Sequence, residues 1–492
     1  MRIAIDEQMK FGETSISDIK FDARCRDELP QLLMGLQSLY CNEKLRLKIF
    51  DTLQELIPEN ISLTTGRKGM NLWRIFVLGC VRLCCGTNYD KLHDMANWHG
   101  QLRQMLGHSI WDLEKKYALS TLKDNLSLFT PEVLDKISQI AVEHGHEVFN
   151  KKTDEILKGS CDSFALETNV HYPTDISLLW DAVRKIITLT MMLCKGFNIS
   201  EWRQGKLNLK NVKECFRHAQ QAKRSTSKKE EVKKAKEQLV INAHTLYVNL
   251  AQGFIDKARQ TLKTLPSSDI VVHCKVQQIE EYCNDAELLI DQIKRRVVNG
   301  ETIPQHEKIY SIFECHTEWI SKGKAGVPVE LGVRVCIVKD QYGFLLHHRV
   351  MENETDEKIT VSIVEETQKR FPDFKSCSFD KGFHSKPNQE DLSKILDYVI
   401  LPRKGKLSVA SKEIENEEMF KEARKKHSAV ESSINALENH GLDRCPDRGI
   451  KGFKRYTALA VVARNIQIIG AKLQQKELKK LQRKSKKLQV AA

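Results

Sequence analysis

Apolar and polar positions change period several times along the chain, and each change marks an element. Over residues 36–150 apolar residues recur at intervals of three and four, as in Leu45, Ile49, Leu53 and Leu56, which predicts helices throughout. Thr130 followed by Pro131 is a helix start, with the hydroxyl as cap and the proline at the first helical position. Residues 89–107 and 119–128 have the lengths of a helix-turn-helix pair. A short strand follows over 159–167, then a turn at 171–175 around Pro173. Helical period returns from 176 to 299, with a last helix over 276–298 that stops at Asn299-Gly300 ahead of Pro304. Beyond Lys308 the period drops to two. Leu331, Val333, Val335 and Ile337 alternate with their neighbours, Asp340-Gln341-Tyr342-Gly343 turns the chain, and Phe344, Leu346, His348 and Val350 alternate back, which predicts a β-hairpin. A helix over 359–371, a strand over 374–379, a helix over 389–396, a strand over 398–401 and one long helix over 413–439 complete the reading.

Strands interleaved with helices after an antiparallel hairpin predict an α/β fold with a mixed sheet. The expected division is a partly ordered leader (1–35), a helical N-terminal domain (36–150), a core assembled from 151–175 and 306–470, a large helical insertion after the first core strand (176–305) and a C-terminal tail (471–492).

Composition narrows the class. With 492 residues, 41% hydrophobic and 29% charged, the chain is an ordinary globular one with room for about three folded units, not a miniprotein or a disordered polymer. The longest apolar run, 73–85, is interrupted by Arg74 and Arg82 and falls short of the ~18 residues a bilayer span needs. Asp6, Glu7 and Lys10 stand where an export signal would be apolar, so no membrane partner and a cytoplasmic location are expected. Of the net +13, segment 201–237 carries +7 and the tail 471–492 another +7, leaving −1 for the rest. Basicity packed into two stretches reads either as the footprint of a polyanion partner, most simply nucleic acid, or as a solvated helix face with a frayed tail, and charge alone does not choose between them. Fourteen cysteines without a C-x-x-C read as reduced, mostly buried thiols, and Cys315-His316 lacks the second pair a zinc site needs. Neither a phosphate-binding loop nor a G-x-G-x-x-G is present, so ATP use is not expected.

Three carboxylates fall where a metal site would want them. Asp162 lies in the first core strand, Asp380 at the carboxyl end of the 374–379 strand, and Glu431 within the long helix. Ligands of open α/β sheets collect beyond the carboxyl ends of strands. On the helix, Val430, Ile434 and Leu437 form the buried stripe, and Arg424, His427, Glu431 and Asn435 lie on a polar stripe beside it. Hard ions such as Mg²⁺ take carboxylate oxygens, and two of them about 3.5–4 Å apart can stabilise both oxygens of a phosphoryl displacement. Asp175 is a rival for the first acid and Glu438 for the third.

At these residues the chain resembles bacterial insertion-sequence transposases of the DDE class, whose catalytic domain has an RNase H-like fold. The matching stretches are 161–175, from Cys161-Asp162-Ser163 to Thr174-Asp175; 316–332, from His316-Thr317-Glu318-Trp319 to Gly332; Asp380-Lys381-Gly382-Phe383-His384-Ser385; and His427-Ser428-Ala429-Val430-Glu431-Ser432-Ser433-Ile434-Asn435. The resemblance covers most of the chain. It implies that Asp162, Asp380 and Glu431 are the catalytic, metal-holding acids, with Mg²⁺ or Mn²⁺ as cofactor. It implies double-stranded DNA as partner, both terminal inverted repeats and target, a homodimer on DNA, and an N-terminal helical region that helps bind the repeats. A bacterial, nucleoid-associated location follows from the same likeness. With 176–305 set aside, the succession of acid-bearing strand, hairpin, helix, acid-bearing strand, helix, strand and acid-bearing helix is what an RNase H-like core requires. Two departures stand out. The insertion follows the first strand, whereas several relatives carry theirs before the glutamate helix. Many relatives also have Tyr, Arg and Lys at offsets of minus seven, minus four and plus six from the glutamate, where this chain has Arg424, His427 and Leu437.

Basic residues around the acids predict a path for phosphates: Lys322 and Lys324 beside the hairpin, Arg403, Lys404 and Lys406 after the 398–401 strand, Arg424 and His427 before Glu431, and Arg444 and Arg448 after its helix. The expected activity is transposition, with cutting at transposon ends and joining of 3′-hydroxyls to target DNA. An RNase H-like nuclease without strand transfer and a DNA-binding protein with idle acids are the two other readings.

Overall fold

Side-chain caps start most of the N-terminal helices. Asp27 caps α1 (Glu28–Cys41), Asn42 caps α2 (Glu43–Gln54), Asn71 caps α3 (Leu72–Cys84) and Asn88 caps α4 (Tyr89–Trp98), each accepting from a first-turn backbone N–H. Two short helices, α5 (Gly100–Met105) and α6 (Leu119–Leu126), precede α7 (Pro131–Phe149), capped by Thr130 with Pro131 in the first turn. The chain then enters strand β1 (Leu157–Thr168). Four helices follow: α8 (Asp175–Gly196), α9 (Gly205–Gln221), α10 (Glu230–Lys263) and α11 (Ile270–Val297). After them come β2 (Glu318–Ser321), β3 (Val329–Lys339), β4 (Leu345–Met351), α12 (Asp356–Arg370), β5 (Phe374–Phe379), α13 (Lys386–Ile395) and β6 (Tyr398–Ile400). The last elements are α14 (Val409–Asn416), α15 (Glu418–His427), α16 (Ala429–Leu437), the two-residue β7 (Arg444–Cys445) and α17 (Gly449–Ala491).

The computed structural model describes the chain apart from residues 1, 6–8, 10, 59–64, 66–68, 110, 113, 115, 223–228, 266–268, 322–327, 406–408 and 492, and apart from the side chains of 409–411, 414 and 486–491. It divides into two compact units, Val170–Trp319 and the remainder, 1–169 with 320–492. Among the described residues no helix is long and apolar enough to cross a membrane.

In the larger unit the strands form a mixed seven-stranded sheet in the order β2-β3-β1-β5-β6, with β4 also on β3 and β7 also on β1. β1 is the hub. It runs antiparallel to β3, from Ser160 opposite Lys339 to Glu167 opposite Gly332, and parallel to β5 as far as Cys161 opposite Phe379. β4 runs antiparallel to β3, and β6 parallel to β5. The hairpin turn is fixed by Asp340, whose buried carboxylate accepts from the N–H groups of Tyr342 and Phe344 and bonds His146 Nε2 at 2.6 Å.

Residues 36–150 do not stand apart from this sheet. Leu32, Phe76, Ile137, Phe344, Phe374 and Ile466 belong to one continuous apolar core, because α17 packs along α1, α3 and α7 and reaches β4. Close approach of α1 and α17 requires glycine, since a Cβ on Gly470 would lie 1.7 Å from the carbonyl oxygen of Gln31. Asn465, fully buried on α17, bonds both the N–H and the C=O of Leu345. The tail beyond 471 continues the same helix.

The single helix expected over 413–439 is instead three, α14 to α16, followed by a distorted turn over 438–442. Glu417 is extended, and at the next break the Ser428 hydroxyl donates to the Lys425 carbonyl, a side-chain bond that competes with the helical ladder. In the smaller unit, α8, α10 and α11 pack around Leu179, Ile186, Tyr247, Ile255, Ile279 and Ile290, and α9 adds Val212 and Ala219.

Candidate active site

Two serines define the face on which the acids lie. Ser160 and Ser378 are opposite one another on the parallel strands β1 and β5, and their hydroxyls bond at 2.9 Å. Side chains alternate across a strand, so Asp162 and Asp380, two residues further along each, share that face. The last paired residues are Cys161 and Phe379, so each acid is the next residue along its chain, with Asp380 just beyond the end of β5. At this point the sheet opens: β5 ends at Phe379 and β7 pairs with β1 only at Glu167 and Thr168, so the edge of β1 between them has no strand partner on that side among the described residues.

Helices α15 and α16 cover the same face. His427 Nδ1 lies 3.0 Å from the Ser378 hydroxyl, and Lys339 Nζ, on the β3 residue opposite Ser160, donates to the Ala429 carbonyl at 2.7 Å. These two bonds pin the α15–α16 junction to the sheet and carry Glu431, in the first turn of α16, over the acids. The electrostatics report the convergence. The Asp162 carboxyl is pushed up to about 6, first by burial and then by the charges of Asp380, Asp356 and Glu431, against a 2.7 Å bond from the Ser163 N–H. Burial lowers the His427 imidazole below its ordinary value, although the nearby carboxylates Asp380 and Glu431 oppose it. Asp162 is partly buried, whereas Asp380 and Glu431 are exposed. The site is therefore an open shelf. A cavity of about 370 Å³ in this unit lies elsewhere, among Pro131, His348, Arg349, Glu366 and Lys454.

Among the described residues no group of three or more His, Cys, Asp or Glu is drawn together closely enough to hold a metal ion. The donor set is nonetheless of the right chemistry. Asp162, Asp380 and Glu431 offer hard carboxylate oxygens, and the repulsion that adds to burial in raising Asp162 is what a divalent cation would relieve.

The expected basic residues fare differently. Lys404 Nζ donates at 3.0 Å to the carbonyl of Gly382, two residues beyond Asp380, and the charges of Arg403 and Lys404 help lower His384 after burial has done so first. Both therefore flank the loop that Asp380 begins. Arg424 is exposed on α15 and pairs at 3.5 Å with Glu415, which also accepts from the Arg403 N–H. Arg444 is held by Glu167 at 2.6 Å, about 16 Å of strand from Asp162, and Arg448 is exposed beyond β7. Lys322, Lys324 and Lys406 lie outside the described residues. Of the rival acids, Asp175 belongs to the smaller unit and pairs with Arg296 at 2.6 Å, whereas Glu438 opens the distorted turn after α16.

Two members of this neighbourhood were not apparent in the sequence. Asp356, in the first turn of α12, accepts from the Ser163 hydroxyl at 2.6 Å on the other face of β1. Lys339 reads in sequence as the last residue of a strand, and its bond to α16 has no local signal. Thr355-Asp356 after the hairpin is a helix-start pattern that would have marked the first. Comparison of the chain with protein-family models, with curated proteins and with solved structures returns no match.

Proposed function

We propose that the chain is a metal-dependent DNA transposase of the DDE class, which cuts phosphodiester bonds at transposon ends and joins the freed 3′-hydroxyls to target DNA. One observation carries the reading: Asp162 directly follows the last residue of β1 paired with β5, Asp380 directly follows β5, the helices of His427 and Glu431 lie over the same face, and the charges of Asp380 and Glu431 add to burial in raising the proton affinity of Asp162. The order β4-β3-β1-β5-β6, with three antiparallel strands followed by two parallel to the first, supports an RNase H-like core. The motifs around the three acids support the family.

In this reading Asp162, Asp380 and Glu431 hold Mg²⁺, or Mn²⁺ in its place, which supplies Lewis acidity toward water and phosphate oxygen. Asp162 and Asp380 fix one side of the site on the sheet. His427, neutral near pH 7, keeps the α15–α16 junction seated through Ser378. Arg403 and Lys404 take phosphates next to the Asp380 loop, positioning DNA without reading its sequence. The partners are double-stranded DNA and a second copy of the chain, in a bacterial cytoplasm.

The test is a duplex carrying the DNA that flanks the reading frame, incubated with wild type, Asp162→Asn or Asp380→Asn in Mg²⁺ or Mn²⁺. Wild type yields nicked and joined products and the variants none; equal products from all three overturn the reading. Cleavage without joining to a target plasmid assigns the nuclease instead. The DNA-binding protein with idle acids is favoured by one observation, the absence of a preformed ligand cluster among the described residues. It wins if Mn²⁺ changes neither products nor thermal stability.

A further inference from the structure

Basic residues of the smaller unit differ in their partners. The arginines of α10 and α11 are neutralised: Arg259 bonds Glu280 and Glu287, Arg295 bonds Asp291, Glu301 and Glu307, and Arg296 bonds Asp175, whereas the exposed Lys233, Lys234 and Lys236 near the start of α10 form no ion pair among the described residues. On α9, Lys206, Lys210, Lys213 and Arg217 are all exposed, and none forms an ion pair among the described residues. Glu214, at four-residue spacing from Lys210, is not paired with it.

The spacing of these four is four, three and four, so at 3.6 residues per turn they fall within an arc of about 60° and run for about 17 Å along the axis. The buried residues of α9, Gly205, Val212 and Ala219, lie about 130° round the helix from that arc. The stripe thus faces away from the core. Like charges at three- and four-residue spacing repel one another along the helix, a cost that the paired arginines of the same unit avoid. A membrane surface does not fit this helix, because its apolar face is already packed in the unit's core and has nothing to insert. A duplex does, since it offers a negative charge every 1.7 Å or so along its axis to a straight cationic ridge.

We infer that α9 is a backbone-tracking ridge that binds double-stranded DNA through Lys206, Lys210, Lys213 and Arg217 without sequence preference. The inference rests on DNA being the substrate, and its test separates the two. The probe is a random-sequence 30-base-pair duplex, titrated from about 50 to 200 mM NaCl without divalent ions. The proteins are wild type, the variant K206Q/K210Q/K213Q/R217Q, and a charge-matched control, K20Q/K152Q/K369Q/K394Q, on exposed lysines of the larger unit that lie outside both the N-terminal helical region and the candidate site. Each lost phosphate contact lowers the slope of log affinity against log salt by about 0.9, so the α9 variant loses about 3.6 and the control less than 1. Over that fourfold range wild-type affinity falls about 150-fold further than that of the α9 variant. Glutamine keeps helix propensity, and unfolding followed by circular dichroism verifies that both variants are folded. Equal slopes for the two variants overturn the ridge. Metal-dependent cleavage with an unchanged slope overturns the ridge alone, whereas a lost slope with no cleavage supports the ridge and overturns the transposase reading.

Discussion

Asp162 and Asp447 are sheltered carboxylates of the same unit whose surroundings push them in opposite directions. Burial acts against the charge of both. Around Asp447, the guanidinium groups of Arg82 at 2.8 Å and Arg455 at 2.9 Å more than offset it, and the carboxyl is held below the usual carboxylate range. Arg82, only 3% exposed, also stacks over the rings of Tyr89 and Tyr456. Around Asp162 the nearby charges are Asp380, Asp356 and Glu431, and the carboxyl is raised to about 6. Asp447 is thus set among counter-charges and Asp162 among like charges, the place that a divalent cation would take under the proposed function.

The largest effect should come from breaking the satisfied cluster. Asp447→Asn leaves Arg82 buried without a counter-charge and should destabilise the protein by about 3–5 kcal/mol at pH 7 in denaturant unfolding. The folded value of Asp447 is depressed, so its contribution is present above the unfolded value of about 4 and is lost as pH falls through the folded value. The gap between wild type and variant should therefore close in acid. A gap that persists unchanged at pH 2 would exclude this origin.

Asp162→Asn should have the opposite sign. Its folded value of about 6 stands above the ~4 of an unfolded chain, so between these values the folded state carries the extra proton and stability falls as pH rises. At pH 7–8 the variant should be more stable than wild type by about 3 kcal/mol, the two converging below pH ~4. Wild type more stable than the variant at pH 8 would mean that Asp162 has a counter-charge. A divalent cation should then shrink the difference: with Mn²⁺ at about tenfold its dissociation constant, wild type gains about 1.4 kcal/mol in thermal unfolding and Asp162→Asn little. Equal gains in both proteins would remove Asp162 from the metal site.

What was legible in the sequence is what local chemistry determines. The two-residue alternation of 331–338 and 344–350 and the apolar run 374–379 predicted β3, β4 and β5, because side-chain period and strand geometry are the same fact. Asp162 and Asp380 could be singled out because a strand and its carboxyl end are visible in pattern. That both follow directly on the paired residues Cys161 and Phe379 is a matter of register between strands more than 200 residues apart, which no window of sequence contains. The same holds for Asp356, brought to Ser163 by the crossing of α12, and for the common core of α1, α7 and α17. The breaks at Glu417 and Ser428 escaped because the apolar spacing runs through them, while Lys339 and His427 hold the pieces to the sheet.

The smallest stability effect, and the one that separates architecture from chemistry, is expected at His427. Its bond to Ser378 is a single contact, and Ser378 keeps its bond to Ser160, so His427→Ala should cost only about 1 kcal/mol. The consequence for cleavage should be disproportionate, because the junction that His427 seats carries Glu431, and an acid displaced by about 1 Å loses much of its effect on a reacting phosphate. The expected result is a loss of 10-fold or more in the cleavage rate at saturating DNA with affinity unchanged. Ser378→Ala should reproduce part of it, and the double variant should be no worse than His427→Ala if the pair acts as one support. Because burial lowers the His427 imidazole, it is already neutral above pH ~6.5, and wild-type cleavage should show no titration of this group between pH 7 and 8. Additive losses in the double variant, or a cleavage profile governed by a group titrating near pH 7.5 that vanishes in His427→Ala, would make His427 a proton carrier instead of a support.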